Sequence, residues 1–404
     1  MKPAGSNRGR EIGVVGGGIG GLTAALAFAR RGARVTVLER APNLREQGAG
    51  IQLTPNGHVV LNALGLGPAL EGAGESAVHA QLRDGRRGTL LARWALPKPW
   101  RLIHRGDLLH ILARACETAH VEIETAAPAL AVEKTVRRPV IRLRDEETFS
   151  PELVVAADGI RSATRSVLNG RDAPIFLKQS AWRATVVPKP DTPAEPVIHL
   201  MPGRHVVTYP IREGSLVNIV AVQDTEAWTE EGWDVPDTPD SLRAAFPDAS
   251  PRLGDLLERV TETRRWALFG RPVAEDLGSA GIALLGDAAH PTLPFLAQGA
   301  NLAIEDAWIL ARETDEPVSI DRALRTYADL RRPRLERAIR AAHASGGLYH
   351  AKGVPGWIVR GGMAALGRYA PKVLATRYAW LHEHDVTNGE TLEVEAEDAQ
   401  LLAL

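Results

Sequence analysis

The chain begins with an apolar, β-branched run at Glu11–Val15, breaks at the glycine turn Gly16–Gly21, and resumes as an alanine-rich stretch, Leu22–Arg31, that Gly32 ends. In Arg34–Leu38 the apolar Val35 and Val37 alternate with Thr36. Strand, turn, helix and strand in that order predict a βαβ unit. Leu153–Ala157 and Ile282–Leu285 are two more continuous apolar runs, closing on Asp158-Gly159 and Gly286-Asp287. Runs this short and apolar on both faces predict buried strands. Gly106–Ala119 places Leu108, Leu109, Ile111, Leu112 and Ala115 at helical spacing.

A different texture fills the middle. From Ala181 to Trp266 apolar and polar positions often alternate with period two, and prolines punctuate them. Ala181–Val187, His205–Tyr209 and Leu216–Val222 predict antiparallel strands. The α/β pattern resumes after Arg271, so the β-rich segment is inserted into the α/β domain rather than appended to it. Ser319 to about His350 predicts one long helix, bent at Pro333. The acidic tail after Gly389 is expected to fray. The resulting division assigns 1–75, 100–176 and 268–350 to one discontinuous domain. Residues 76–99 and 177–267 form the inserted sheet, and 351–404 a C-terminal helical segment.

Composition narrows the function classes. The 404 residues fit two to three domains of about 150. With 45% hydrophobic and 24% charged residues the chain is neither disordered nor fibrous. Lys and Arg total 48 against 49 Asp and Glu, so there is no basic footprint for nucleic acid or an anionic membrane. The single cysteine, Cys116, excludes an intrachain disulfide and a cysteine-rich zinc site, and points to a reducing, cytoplasmic setting. Cys116 falls on the apolar pattern of its helix and reads as core. Ile12–Ala29 is uncharged over eighteen positions and flanked by arginines, which imitates an export signal. Six of the eighteen are glycine, and glycine costs about 1 kcal/mol per helical position relative to alanine. Strand, turn and helix fit this segment better than one exported or spanning helix.

Gly16-x-Gly18-x-x-Gly21 sits between that strand and helix. In such a fingerprint the first glycine allows the turn, the second lets the backbone approach a pyrophosphate, and the third lets helix and strand pack closely. The pyrophosphate rests on the helix N-terminus. Glu39 closes the second strand, where a carboxylate accepts hydrogen bonds from a ribose and repels a 2′-phosphate. The site should therefore hold FAD or NAD rather than NADP. No second fingerprint exists: Gly361-Gly362 and Gly367 follow no strand.

Three stretches carry a resemblance to a known family. They are Gly13-Val-Val-Gly-Gly-Gly-Ile-Gly-Gly-Leu22, Val155-Ala-Ala-Asp-Gly-Ile-Arg-Ser162, and Leu285-Gly-Asp-Ala-Ala-His-Pro291 continuing to Gln298-Gly-Ala-Asn301 and Glu305-Asp306-Ala307. In order and spacing the chain resembles the single-component FAD-dependent aromatic hydroxylases (group A flavoprotein monooxygenases). Gly50-Ile-Gln-Leu-Thr-Pro-Asn56 and His382-Glu-His-Asp-Val386 are similar to the salicylate hydroxylase branch. The resemblance implies an α/β fold of para-hydroxybenzoate hydroxylase type. A Rossmann-like FAD-binding domain carries an inserted antiparallel β-sheet substrate domain and C-terminal helices. It implies non-covalent FAD, NADH or NADPH as transient co-substrate, O2, and a small aromatic substrate hydroxylated through a flavin C4a-hydroperoxide. No metal, nucleic acid or membrane is expected, and the chain is read as a monomer or homodimer.

By position, Asp287 would bind ribityl or ribose hydroxyls, and Pro294 would lie against the flavin ring. Gly299, Ala300 and Asn301 would open a helix whose N–H groups face the flavin pyrimidine edge, where negative charge grows on reduction. Arg105 would pair with the pyrophosphate. Asp158, with Arg161, would support the FAD and nicotinamide sides, and Arg40 joins Glu39 in the cofactor set. Plainer alternatives stand beside these. Asp287 could cap a helix at Ala288, Arg105 could be a surface residue, Asp158 could pair with Arg161, and Pro294 could simply make a turn. His290 reads as a buried histidine bonded to backbone.

Along Arg204–Pro210 a strand puts His205, Val207 and Tyr209 on one face. A histidine and a phenol on a pocket floor suit a phenolic substrate, because removing the phenol proton raises electron density at the ortho and para carbons. Arg183 could clamp a carboxylate. The alternatives are a structural His205 and an edge-strand Arg183 in solvent. Two other functions fit the same scaffold: a flavin epoxidase or reductase with a non-aromatic substrate, and a non-catalytic carrier. The complete Gly16, Gly18, Gly21, Glu39 and Asp287 set argues against the carrier.

Overall fold

Glu11–Val15 lies at the centre of a six-stranded sheet in the computed structural model, which describes residues 6–44, 50–228 and 234–392. Its neighbours are Arg34–Leu38 on one side and Leu153–Ala156 on the other, both parallel to it, with Ile282–Leu284 parallel to Leu153–Ala156. Ile12, Val14, Leu153, Val155, Ala283 and Leu284 are fully buried, as strands covered on both faces must be. The chain leaves the central strand toward one side and returns on the other. The loop after Val15 therefore stands at the topological switch point, where ligands of open α/β sheets bind. The apolar segment Ile12–Ala29 is strand, turn and the helix Ile19–Ala29, as its glycines required.

The second layer is an eight-stranded sheet. In spatial order it runs Asp234–Asp237, Thr263–Gly270, Ile175–Val186, Leu216–Asp224, Arg204–Ile211, Val197–Met201, His79–Asp84 and Leu90–Ala95. All neighbours are antiparallel except Val197–Met201 with His79–Asp84. The expected strand over Ala181–Val187 is longer at its N-terminal end, and Arg183 lies on an interior strand rather than an edge. The reason is pairing: Arg183 faces Val220 on one side and Arg264 on the other.

Two contacts join the layers. Gly50 starts the strand Gly50–Leu53, and its N–H donates to Asn218 Oδ1 at 2.6 Å. A Cβ at Gly50 would stand 2.6 Å from the Tyr209 ring, so only glycine allows this approach. The long helix Ile320–Tyr349, with Pro333 inside it, then carries the chain to the helices Gly353–Tyr369, Pro371–Thr376 and Ala379–His382. Gly361, Gly362 and Gly367 are helical. The acidic tail beyond residue 392 lies outside the described residues. Among the described residues, no helix is long and apolar enough to cross a membrane, and no group of His, Cys, Asp and Glu could hold a metal ion.

Candidate active site

The turn after the first strand has the geometry its glycines were read for. Gly16 has φ +105°, a left-handed conformation in which a side chain would also collide with the Ala157 carbonyl. A Cβ on Gly18 would meet nothing within 4 Å, so the backbone is open toward a ligand. A Cβ on Gly21 would fall 1.9 Å from the Gly16 carbonyl oxygen, which forces close packing of helix on turn. Glu39 accepts from the Gly17 N–H at 2.6 Å and the Ala41 N–H at 2.8 Å. A carboxylate has about four acceptor sites, so two remain for a ribose.

Gly18 and Gly21 border a cavity of about 370 Å³ between the two sheets. Arg105, Asp287, Pro294, Gly299 and Ala300 line it from the α/β side, and Arg183, His205, Val207 and Tyr209 from the eight-stranded sheet. These sequence-predicted residues therefore meet at one place, whereas Gly16, Glu39, Asp158 and Asn301 do not border the cavity. Arg40 is exposed and does not border the cavity. The Asn301 side chain is spent elsewhere: its Nδ2 donates to Ala297 and Gln52 carbonyls and its Oδ1 accepts from the Thr54 N–H. What Asn301 offers a ligand is its place in the first turn of the helix Gly299–Asp315.

Asp287 sits within the short turn Gly286–Ala288 and no helix begins at Ala288, so it is not a helix cap. Its surface is open because it faces the cavity. Surrounding protein still holds its carboxyl above the usual range, against the pull of His290, Arg105 and Arg183. Arg105 is not a surface residue: burial, and then the like charge of Arg183, bring its pKa down to about 10. Asp158 Oδ2 accepts from the Thr164 N–H and hydroxyl, while Oδ1 is buried without a protein partner. No ion pair joins Asp158 to the exposed Arg161 among the described residues. An orphaned buried acceptor, the open ground before Gly18 and the two free acceptor sites of Glu39 fit a hydroxyl-rich, pyrophosphate-bearing cofactor.

Arg183 Cζ lies 5.1 Å over the Trp266 ring. Tyr209 is buried, which raises its hydroxyl pKa against the pull of Arg183 and Arg105. His205 is 1% exposed, and its Nδ1 lies 2.7 Å from His350 Nε2. Burial, and then His350, hold His205 well below an ordinary histidine, so the ring is neutral at pH 7. A histidine in water titrates near about 6.5; full burial among Phe295, Tyr349 and His350 overrides that here.

Several residues had drawn no functional role from the sequence. His290 bonds not to backbone but to Asp306, at 2.5 Å. Arg331 reaches Asp306 and Glu305 at 2.7 Å each, and Arg334 grips Glu305 as well. Glu305 then accepts from Asn56, which donates also to Gln298 on the cavity wall. The sequence signal was there in Gln298 and Glu305-Asp306, but nothing local named their partners. A second, apolar cavity of about 150 Å³ adjoins the first at Gln52, Val207, Pro294 and Ala297. His382 closes it, edge-on to Trp100 at 4.9 Å, and burial lowers its pKa to about 4.

Residues 10–342 match the family model described as FAD binding domain. The chain belongs to this family. It is 36% identical over 353 residues to the 3-amino-4-hydroxybenzoate 2-monooxygenase PtnB3 of Streptomyces platensis, covering 84% of this chain and 88% of the relative. To the 3-hydroxybenzoate 6-hydroxylase 1 of Aquipseudomonas alcaligenes it is 35% identical over 355 residues, covering 84% and 90%. A solved structure described as a salicylate hydroxylase substrate complex shares the fold, with TM-score 0.79, 24% identity and 98% of each chain covered. The protein is an FAD-dependent monooxygenase of the aromatic hydroxylase type, with the mixed α/β fold and inserted sheet of that group.

In this flavoprotein Glu39→Ala should weaken FAD binding by about 1–3 kcal/mol, the scale of losing a charge-assisted hydrogen-bond partner. Titration of apoprotein with FAD measures it, and an unchanged affinity would remove Glu39 from the ribose.

Proposed function

We propose that the substrate is a small aromatic ring bearing both a phenolic hydroxyl and a carboxylate. The observation that carries this reading is a row across three strands. Arg183 pairs with Val220, and Val220 with Val207, so Arg183 and Val207 stand two strands apart on one sheet face, about 10 Å. His205 follows at the next same-face position of the Val207 strand, and Tyr209 at the one on its other side. A guanidinium and a neutral imidazole on one wall of the cavity, two strands apart, match the two polar groups of a hydroxybenzoate. Both enzymes compared above are named for hydroxybenzoates.

Bound FAD supplies the electrophilic oxygen, with electrons from NADH or NADPH. Gly16, Gly18 and Gly21 shape its pyrophosphate site, with Arg105 as counter-charge, and Glu39, Asp158 and Asp287 take its hydroxyls. Gly299, Ala300 and the Asn301 backbone present N–H groups where charge grows. Pro294 lines both cavities and would stand between flavin and substrate. Arg183 orients the carboxylate, His205 removes the phenol proton, and Tyr209 positions the resulting oxyanion. In this reading 1–75, 100–176 and 268–350 hold FAD, while 76–99 and 177–267 form the substrate floor under the helices of 351–404.

The test is a screen of hydroxybenzoates for NAD(P)H oxidation with product analysis. Arg183→Met should raise KM for a hydroxybenzoate about tenfold or more, since a hydrogen bond to a charged group contributes about 1.5–3 kcal/mol. An unchanged KM, or better turnover of uncarboxylated phenols by the unaltered enzyme, would defeat the carboxylate assignment.

A further inference from the structure

His205 does not end in the protein interior. Its Nδ1 meets His350 Nε2 at 2.7 Å, and His350 Nδ1 meets Asp224 Oδ1 at 2.6 Å. Asp224 Oδ2 lies 2.7 Å from Lys352 Nζ. Side-chain exposure climbs along this line, from 6% at His350 to 35% at Asp224 and 62% at Lys352. Three separate elements supply it: the strands Arg204–Ile211 and Leu216–Asp224, and the end of the helix Ile320–Tyr349. His350, Asp224 and Lys352 do not border the cavity.

We propose that His350 and Asp224 carry the proton taken up by His205 out of the cavity to solvent, with His350 as the positioning residue that sets which nitrogen of His205 is basic. The proposal rests on the reading that His205 takes the phenol proton. Its logic is one of tautomers. Asp224 is an acceptor only, so His350 carries its hydrogen on Nδ1 and presents the lone pair of Nε2. His205 must then donate from Nδ1, which leaves its Nε2 lone pair as the one available to the cavity.

The proton balance closes. The substrate O–H breaks as His205 Nε2–H forms; His205 Nδ1–H breaks as His350 Nε2–H forms; and His350 Nδ1–H passes its proton to Asp224 or to water beside it. The cation thus does not stay on His205, which burial makes a poor place for charge, but moves to an imidazole paired with a carboxylate. The groups facing His350 among the described residues are His205, Asp224, Lys352 and the amide of Gln179, whose Nε2 is 3.3 Å from His350 Nδ1. Burial lowers the His350 pKa and Lys352 adds to that, while Asp224 pulls it back up.

The experiment mixes holoenzyme rapidly with a nitro-substituted hydroxybenzoate, whose phenolate is yellow, at a pH where the free probe is protonated. Perturbation of the flavin spectrum reports binding, the yellow absorbance reports ionisation, and a pH indicator reports proton release to the bulk. In the unaltered enzyme ionisation and release follow binding. In His350→Gln binding persists, while ionisation and release slow at least about tenfold, a fraction of the usual worth of a positioned base. Added imidazole buffer restores the rate. Asp224→Asn, which keeps size and removes the acceptor-only end, should show the same loss and serves if His350→Gln does not fold. Ionisation at the original rate in both folded variants overturns the relay and leaves the base standing. Ionisation at the original rate in His205→Gln overturns the base, and the relay with it.

Discussion

Replacing His205 with alanine is expected to cut hydroxylation by about 10²–10⁴-fold, the usual contribution of a positioned general base. Flavin reduction and oxygen uptake should continue, because neither passes through His205. Reducing power then leaves as hydrogen peroxide, and the ratio of product to NAD(P)H consumed falls. The pH behaviour follows from the direction of the shift. His205 lies well below an ordinary histidine because burial disfavours its cation, so it is unprotonated and able to accept at pH 7. The acid limb of the hydroxylation rate should therefore lie below about 6.5 in the unaltered enzyme and vanish in the variant. His205→Gln keeps most of the packing against Phe295 and Tyr349 and should show the same uncoupling. Normal coupling in a folded but less stable variant would mean that His205 only packs the core.

Arg331→Met should lower the free energy of unfolding by about 3 kcal/mol or more, because removing one partner of a buried ion pair strands the other. Arg331, Glu305 and Asp306 are all fully buried. Arg334 still holds Glu305, and His290 still faces Asp306, which keeps the loss toward the lower end. Urea denaturation of apoprotein measures it, and a change under about 1 kcal/mol would show that the network contributes specificity rather than stability. Acid sharpens the test. Burial alone would raise the Asp306 pKa, but His290 and Arg331 bring it down to about 2. A depressed carboxyl stabilises the fold fully above the ordinary carboxylate range, near 4, and that stability is lost as pH falls through the folded value. Without Arg331 the folded value rises, so acid unfolding should begin at higher pH.

The glycine turn and the place of Glu39 beside it were legible because their signals are local. Gly16, Gly18, Gly21 and Glu39 belong to one strand–turn–helix–strand unit. At Gly21 a side chain would collide with the turn itself, whereas at Gly16 it would collide with Ala157, which follows the distant strand Leu153–Ala156. His205, Val207 and Tyr209 were legible as one face because a strand alternates with period two. The bonding of His205 was not. Its partner His350 is 145 residues away, and nothing in a run of alternating residues says what lies over the face. The depressed basicity of His205 was hidden for the same reason: burial is a property of the assembled layers.

By itself the sequence determined the βαβ start, the inserted sheet and the family, since these rest on spacing within short stretches and on the order of such stretches. Tertiary structure alone decided which charges are buried. Arg331 and Arg334 look in sequence like two more arginines in a helix rich in them, and most arginines are exposed. Only the packing of the helix Ile320–Tyr349 on Gly299–Asp315 turns them inward onto Glu305 and Asp306. Likewise Gly50 and Asn56 gained their roles from contact with Asn218 and Gln298, far along the chain. The physical reason is common to these cases. A backbone turn is set by the dihedrals of its own residues, whereas a buried ion pair or an imidazole chain exists only where distant surfaces meet and exclude water.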